Sequence, residues 1–225
     1  MSDGCYAVFF GMELSGNPEN SLKFIAFSEF ITMGISRLLS KFILRLFGWK
    51  ITGEVSPDLQ KYILAVVPHT SNWDFPLGLL VRSAMGLKVK FLGKSSLFRF
   101  PFGGLFRLLG GYPVDRSKRQ NYVEAVADIF NEKKQFAVCI APEGTRSAVE
   151  KLKSGFYYMA REAGVPIIMV RFDYGKKEVD FSAPITADQS YEEILEVMRA
   201  YFGRAKGKNP ENAWPHSAPD SGRAA

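Results

Sequence analysis

Short apolar runs alternate with amphipathic segments along the chain from residue 61 onward. Four runs have the length and aliphatic content of buried strands, and they cover residues 62–68, 88–93, 135–142 and 166–172. Helical periodicity appears between and after them, at residues 74–86, 118–133, 151–164 and 190–203. Strands that alternate with helices predict an α/β fold with a mainly parallel central sheet flanked by helices.

Residues 21–48 show a different pattern. Their apolar positions recur every three or four residues and form one helical stripe, while Arg37, Lys41 and Arg45 form a basic row on the same helix. Such a helix either packs on the core with a solvated charged face, or lies in a membrane interface with its basic row among anionic headgroups. In the second case residues 21–48 are an N-terminal amphipathic membrane-docking segment.

The same patterns divide the chain into four parts. Residues 1–20 have no clear period and are predicted to form a loose arm before the helical region, and residues 49–205 form the α/β domain. Residues 206–225 are rich in Pro, Gly, Ser and Asn, which predicts a disordered tail. No stretch reaches the roughly 18 charge-free apolar residues of a membrane-spanning helix, so we expect a soluble or membrane-surface protein.

Composition narrows the possible partners. The 225 residues carry a net charge of +6, which favours an anionic partner such as a membrane surface, a nucleic acid or an acidic protein. Nucleic acid is disfavoured, because no recognised motif appears and the basic residues are interleaved with long apolar stretches. Cys5 and Cys139 are far apart, and Cys139 lies in an apolar run, so a disulfide is not expected and a reducing compartment is favoured.

Three polar clusters interrupt the apolar pattern. They are HTSNWD at residues 69–74, GGYPVDRS at 110–117 and APEGTRS at 141–147. The first and third clusters directly follow predicted strands, and the second follows a segment rich in aromatic and basic residues. Because the carboxyl ends of parallel strands meet at one edge of a sheet, we expect the clusters to assemble one pocket.

His69 and Asp74 are the candidates for acid–base chemistry. On an uninterrupted helix their side chains would point about 140° apart, so they meet only if residues 70–72 form a turn that caps a helix beginning near Trp73. Asp74 would then fix one imidazole tautomer and leave the other ring nitrogen as a base. The chain has no Gly-x-Ser-x-Gly elbow, so the substrate would supply the hydroxyl. The alternative is a helix-capping turn without catalysis.

The other candidates are suited to anions. The third cluster brings together Glu143, Gly144, Thr145 and Arg146. Arginine recognises phosphate in a bidentate manner, and a neighbouring glutamate can hold it or accept from a substrate hydroxyl; the alternative is a surface turn with an ion pair. Arg116 in the second cluster can also reach an anion. Lys94, followed by two serines, is either a further anion ligand or a solvated side chain.

The clusters resemble the signature blocks of the PlsC-type glycerolipid (lysophospholipid) acyltransferases. The four matching blocks are residues 69–74, 111–116, 142–147 and 164–170, and the first looks like the His-x4-Asp signature of the family. The likeness extends over about residues 50–185. Two positions depart from the family pattern: Pro68 stands where Asn commonly precedes the histidine, and Met169 stands where a proline is usual.

The resemblance implies an O-acyltransferase at the cytoplasmic face of a membrane. His69, oriented by Asp74, would deprotonate a lysolipid hydroxyl, with 1-acylglycerol-3-phosphate as the leading acceptor and phosphatidate as the product. The oxygen would attack the thioester of an acyl-CoA or acyl carrier protein. The acceptor's phosphate and glycerol would be held by Arg116, Glu143, Gly144, Thr145 and Arg146. No metal or bound cofactor is implied.

Several alternatives remain open from the sequence. The acceptor could be a lyso-aminolipid or another lysophospholipid, and a thioesterase-like hydrolase would use water in its place. A non-catalytic membrane-binding scaffold would use only the basic and apolar surfaces. Residues 97–109 mix aromatic side chains with Arg99 and Arg107, and they either add to a membrane-facing surface or pack in the core.

Overall fold

One seven-stranded sheet forms the centre of the molecule. The computed structural model describes residues 36–114 and 119–215, and of residues 119–121 only the backbone. The strands are β1 Lys50–Thr52, β2 Lys61–Val67, β3 Val89–Lys94, β4 Gly111–Val114, β5 Phe136–Ile140, β6 Ile167–Asp173 and β7 Glu178–Phe181. Their order is β1-β7-β6-β2-β5-β3-β4, and all neighbours are parallel except β6 and β7. The predicted α/β fold with a mainly parallel sheet is confirmed.

Helices cover both faces of this sheet. In the described part of the chain they are α1 over residues 36–46, α2 Asp74–Met85, α3 Gly103–Leu108, α4 Arg119–Glu132, α5 Gly155–Ala163 and α6 Tyr191–Phe202. α2 ends at Gly86, whose φ of 72° lies in the left-handed region that glycine enters without strain. α6 begins with a capping box in which Ser190 and Glu193 bond each other's backbone N–H groups.

The alternation of side chains along β2 explains the two cores. Ile63, Ala65 and Val67 face a core that contains residues of α4, α5 and α6. Leu64 and Val66 face a second core that contains residues of α1 and α2. A strand that is buried on both faces needs an unbroken apolar run, which is the pattern that predicted it.

Several short elements were not predicted. β1 and β7 have three and four residues, and α3 has six. The second polar cluster, expected to be a loop, begins with the edge strand β4. Pro113 fits there because an edge strand tolerates a residue that cannot donate to the sheet.

The structure tests the expectations for the C-terminal end of the chain but not those for residues 1–20. The arm at residues 1–20 and most of the helical region at 21–48 lie outside the described residues, and α1 is the portion that can be seen. Residues 206–215 are ordered and include a 3₁₀ turn at Pro210–Asn212, so the expected disordered tail is wrong for them. None of the described helices combines the length and the apolar character of a membrane-spanning segment.

Candidate active site

Polar side chains gather at the carboxyl edge of the sheet. Strands β2, β5, β3 and β4 are parallel neighbours, so the residues that follow them emerge at one edge. His69 follows β2, Glu143 follows β5, and Lys94 ends β3. Two strand spacings, or about 10 Å, separate Lys94 from β2. Arg116 follows β4 but belongs to residues 115–118, outside the described part of the chain.

His69 and Asp74 are in direct contact. The imidazole Nδ1 lies 3.1 Å from Asp74 Oδ2, and the two side chains are 22% and 1% exposed. A carboxylate can only accept, so this contact assigns the proton to Nδ1 and leaves Nε2 as the basic nitrogen. The pair therefore has a buried orienting acid and a base that solvent or substrate can reach.

The Asp74 carboxylate also closes the turn that brings it to His69. Its Oδ2 accepts the backbone N–H of Ser71 at 2.9 Å, and Ser71 Oγ accepts the N–H of Trp73 at 3.2 Å. The expectation that a side chain of residues 70–72 caps α2 is wrong, because the cap residue is Trp73 and it provides no side-chain acceptor. Asp74 instead lies in the first turn of α2, where the helix dipole favours a negative charge.

Tyr174 is a partner of Asp74 that sequence reasoning missed. It directly follows β6, and its hydroxyl donates to Asp74 Oδ1 at 2.7 Å. Burial raises the pKa of Asp74, but the hydrogen bonds from His69, Tyr174 and the Ser71 N–H outweigh burial and hold that pKa below its usual range. Asp74 therefore stays ionised. The strand-end rule that located the other clusters applies equally to Tyr174.

Glu143 lies beneath the loop that carries His69. Its side chain is buried, and Oε2 accepts the backbone N–H of His69 at 2.6 Å, while Oε1 has no hydrogen-bond partner. Burial raises the pKa of Glu143 to about 7, against the opposing effects of the His69 and Trp214 backbone N–H groups. The Trp214 N–H attracts the carboxylate without reaching hydrogen-bond geometry at Oε1. Glu143 thus acts on the backbone of His69.

Gly144, Thr145 and Arg146 form an exposed turn after Glu143. Gly144 has a φ of +66°, and the Lys153 side chain packs so closely against it that a Cβ would collide with its ammonium group. The backbone N–H of Lys153 donates to Pro142 O at 2.8 Å. Two cations therefore lie at this turn: Arg146 belongs to it, and Lys153, which was not predicted, packs against it.

An apolar cavity of about 220 Å³ opens beside His69 and Asp74. It follows α2 from Asp74 to Arg82, eight residues or about 12 Å along the helix axis. The Arg82 guanidinium donates to Leu109 O at 2.8 Å at the far end. Burial raises the pKa of Cys139, which lines the cavity, to about 12, so its thiol stays neutral. The cavity has the apolar character that a hydrocarbon chain requires.

A family profile described as Acyltransferase matches residues 49–173, more than half of the chain. The chain belongs to the Acyltransferase family. The matched segment begins before β1, ends with β6, and contains His69, Asp74 and Glu143.

Curated relatives of this acyltransferase chain share the same description. It is 32% identical over 133 residues to the 1-acyl-sn-glycerol-3-phosphate acyltransferase of Escherichia coli (strain K12), covering 56% of this chain and 53% of that protein. The protein of that description from Haemophilus influenzae is 27% identical over 199 residues, covering 79% and 81%. The chain thus spans about half the length of the first of these relatives.

A solved structure shares the fold. The 1-acyl-sn-glycerophosphate (LPA) acyltransferase PlsC from Thermotoga maritima superposes with a TM-score of 0.52 and 18% identity, covering 85% of this chain and 82% of that one. The expected resemblance to PlsC-type acyltransferases is therefore confirmed at the level of family and fold.

Proposed function

We propose that this acyltransferase moves a fatty acyl group from acyl-CoA or acyl carrier protein to the hydroxyl of 1-acylglycerol-3-phosphate, which gives phosphatidate. The observation that carries the proposal is the His69–Asp74 pair at the mouth of an apolar cavity. A base beside a space for hydrocarbon suits the attack of a hydroxyl on a fatty acyl thioester. The descriptions of the relatives support this choice of acceptor.

In the proposed mechanism His69 is the general base. Asp74 holds the imidazole in the tautomer whose Nε2 accepts a proton. Nε2 takes the proton of the acceptor hydroxyl while the oxygen attacks the thioester carbonyl. The tetrahedral intermediate then collapses, the carbon–sulfur bond breaks, and the imidazolium returns its proton to the leaving thiolate. Ionised Asp74 stabilises the imidazolium between the two transfers.

The acceptor phosphate binds the cations at the carboxyl edge in this proposal. Arg146 supplies a bidentate donor, and Thr145, Gly144 and Lys94 are exposed at the same edge. Arg116 is assigned to the same phosphate site because it ends the second family block, at residues 111–116, although it lies outside the described residues. Glu143 contributes through the His69 backbone that it holds, so its effect on the acceptor is indirect.

In this proposal the acyl chain of the donor occupies the cavity along α2. The donor and the lysolipid acceptor both reach the active site from a membrane surface. α1 packs on the core through Leu44 but leaves Leu38, Phe42 and Leu46 exposed beside its basic row. An anionic membrane is the partner that matches both features. No metal or bound cofactor takes part in these steps.

A turnover assay tests the proposal. Purified protein is given lysophosphatidate, lyso-aminolipids or no acceptor, each with acyl-CoA and with acylated carrier protein. We expect phosphatidate formation, and we expect His69→Ala to lower kcat by about 10²–10⁴-fold, the usual contribution of a general base. His216→Ala, the change of the chain's other histidine, is the matched control.

Other outcomes separate the alternatives. Fatty acid released at equal rates with and without acceptor would favour the hydrolase. Preferential turnover of a lyso-aminolipid would change the acceptor but keep the mechanism. A His69→Ala protein as active as the wild type would refute the general base, and lipid binding without any turnover would favour a scaffold.

A further inference from the structure

Residues 206–214, which we call the strap, return from the end of α6 to the catalytic loop. The strap lies beyond residues 49–173, the segment that matches the family profile. It contains a 3₁₀ turn at Pro210–Asn212 and ends at the buried Trp214. It acts on three residues next to the His69–Asp74 pair: Thr70, which follows His69 in the chain, Tyr174, which bonds Asp74, and Glu143, which bonds the His69 backbone.

Asn209 makes two hydrogen bonds to Thr70, the residue after His69. The Asn209 backbone N–H donates to Thr70 Oγ1 at 3.2 Å, and the side-chain Nδ2 donates to Thr70 O at 2.9 Å. Thr70 is almost completely buried, so these bonds satisfy polar atoms that water does not reach. The pair fixes both the side chain and the backbone of Thr70.

Gly207 leaves little room for the loop to move. A Cβ at Gly207 would lie 2.6 Å from Thr70 Oγ1 and 2.9 Å from Thr70 Cγ2, which is closer than side-chain contacts allow. The strap backbone therefore packs directly on the Thr70 side chain. Movement of Thr70 toward the strap is blocked sterically, while the bonds from Asn209 oppose movement away from it.

The strap also contacts the residue that supports Asp74. The backbone N–H of Tyr174 donates to Lys206 O at 2.8 Å, and the Lys208 ammonium lies 5.7 Å from the centre of the Tyr174 ring. The Tyr174 hydroxyl in turn donates to Asp74. At the other end of the strap, the backbone N–H of buried Trp214 lowers the pKa of Glu143, whose carboxylate holds the His69 backbone.

From these contacts we infer that the strap positions the His69–Asp74 pair for transfer, and that Asn209 is the positioning residue through which it fixes the catalytic loop. The inference rests on the proposed function. Asn209 touches no reacting atom, so it acts only on the geometry of His69. Misplacement of a catalytic group by about 1 Å can lower a rate by about 100-fold, which sets the scale of the effect.

Two pairs of variants test the strap in the full chain. Asn209→Ala removes the bond to Thr70 O, and Thr70→Val removes the Oγ1 acceptor while keeping the shape of the side chain. We expect both to lower kcat by about 10- to 100-fold while the acceptor KM changes by less than about twofold. Thr70→Ser, which keeps the hydroxyl, and Glu211→Ala, an exposed change within the strap, are the matched controls and should retain kcat.

Coupling to His69 separates positioning from general destabilisation. If the strap acts through His69, adding Asn209→Ala to His69→Ala should not lower the residual rate further, because the two changes remove the same step. A thermal unfolding scan of each variant shows whether it is folded at the assay temperature. If Asn209→Ala does not fold, the comparison of Thr70→Val with Thr70→Ser gives the same test.

Contrary outcomes are distinct from failure of the proposed function. Wild-type kcat in folded Asn209→Ala and Thr70→Val, or a rise in acceptor KM alone, would overturn the inference even if His69→Ala is inactive. A fully active His69→Ala protein would instead refute the general base itself.

Discussion

Asp74 is a buried carboxylate that remains ionised because three donors surround it. His69 and Tyr174 donate from their side chains and Ser71 from its backbone. A fixed negative charge beside an imidazole stabilises the imidazolium as it forms, so in the proposed mechanism ionised Asp74 prepares His69 for proton transfer. The groups that offset the cost of burying this charge are also those that fix the turn between His69 and Asp74.

Glu143 provides a pH-dependent prediction at the residue scale. Because burial raises its folded-state pKa to about 7 from an ordinary 4.5, folding favours the protonated carboxyl. Its contribution to stability is complete below pH 4.5 and is lost as the pH rises through 7. Glu143→Gln cannot ionise but keeps an acceptor for the His69 N–H. Relative to wild type, we expect this variant to gain on the order of 3 kcal/mol between pH 4.5 and 8.

Thermal unfolding of both proteins at a series of pH values from 4.5 to 8 measures this difference. Glu211→Gln, a change of an exposed acid, is the control and should follow the wild-type curve. Parallel curves for wild type and Glu143→Gln would contradict the prediction, because they would mean that Glu143 ionises equally in the folded and unfolded chains.

At the scale of elements, long buried strands were predictable, and the short strands at the β1 end of the sheet were not. β2 and β6 are buried on both faces, so their sequences are almost entirely apolar and stand out. β1 pairs only with β7, β7 pairs with β1 and β6, and only two of their seven positions are buried. Their residues carry no distinctive pattern because the sheet places few demands on them.

The sequence predicted the contacts of the site between residues close together in the chain, and it did not predict the contacts between residues far apart in the chain. The spacing of His69 and Asp74 indicated their contact, since one turn joins them. The strap gave no such signal, because its Pro, Gly and Asn residues are typical of disordered chains. What orders it is a set of tertiary contacts, among them the two hydrogen bonds from Asn209 to Thr70, which lies 139 residues away.

One face of α2 lines the cavity, so changes on this face should affect which acyl chains the enzyme accepts from the donor. Gly78 lies on that face, and a Cβ there would meet Phe172 Cζ at 3.8 Å, an ordinary contact. Gly78→Ala should therefore be active with all donors and more stable by up to about 1 kcal/mol, the helix penalty of glycine.

Gly78→Leu should fill the cavity and lower kcat/KM for long-chain acyl-CoA more than for short-chain acyl-CoA. An equal loss for all chain lengths would contradict a role of the cavity in holding the acyl chain.

At the scale of the whole molecule, apolar and basic side chains share two exposed surfaces. The first is the outer face of α1, described above. The second follows β3, where Phe100 is 98% exposed and Phe102, Leu105 and Leu108 are exposed around it. The sequence left open whether residues 97–109 pack in the core, and within them Phe98 is buried while most other large side chains face outward. Exposed apolar area of this kind is typical of a surface that contacts lipid.

The basic row of α1 is expected to select anionic membranes. Each basic side chain near such a surface contributes about 1 kcal/mol, so reversing Lys41 and Arg45 to Glu should weaken binding to anionic vesicles by at least about 10-fold. Reversing Lys133 and Lys134, which follow α4 on the other face of the sheet, gives the same net charge and should have a much smaller effect. Co-sedimentation with vesicles of increasing anionic lipid content, in low and high salt, measures both pairs. Equal losses for the two pairs would mean that net charge, and not the face of α1, governs attachment.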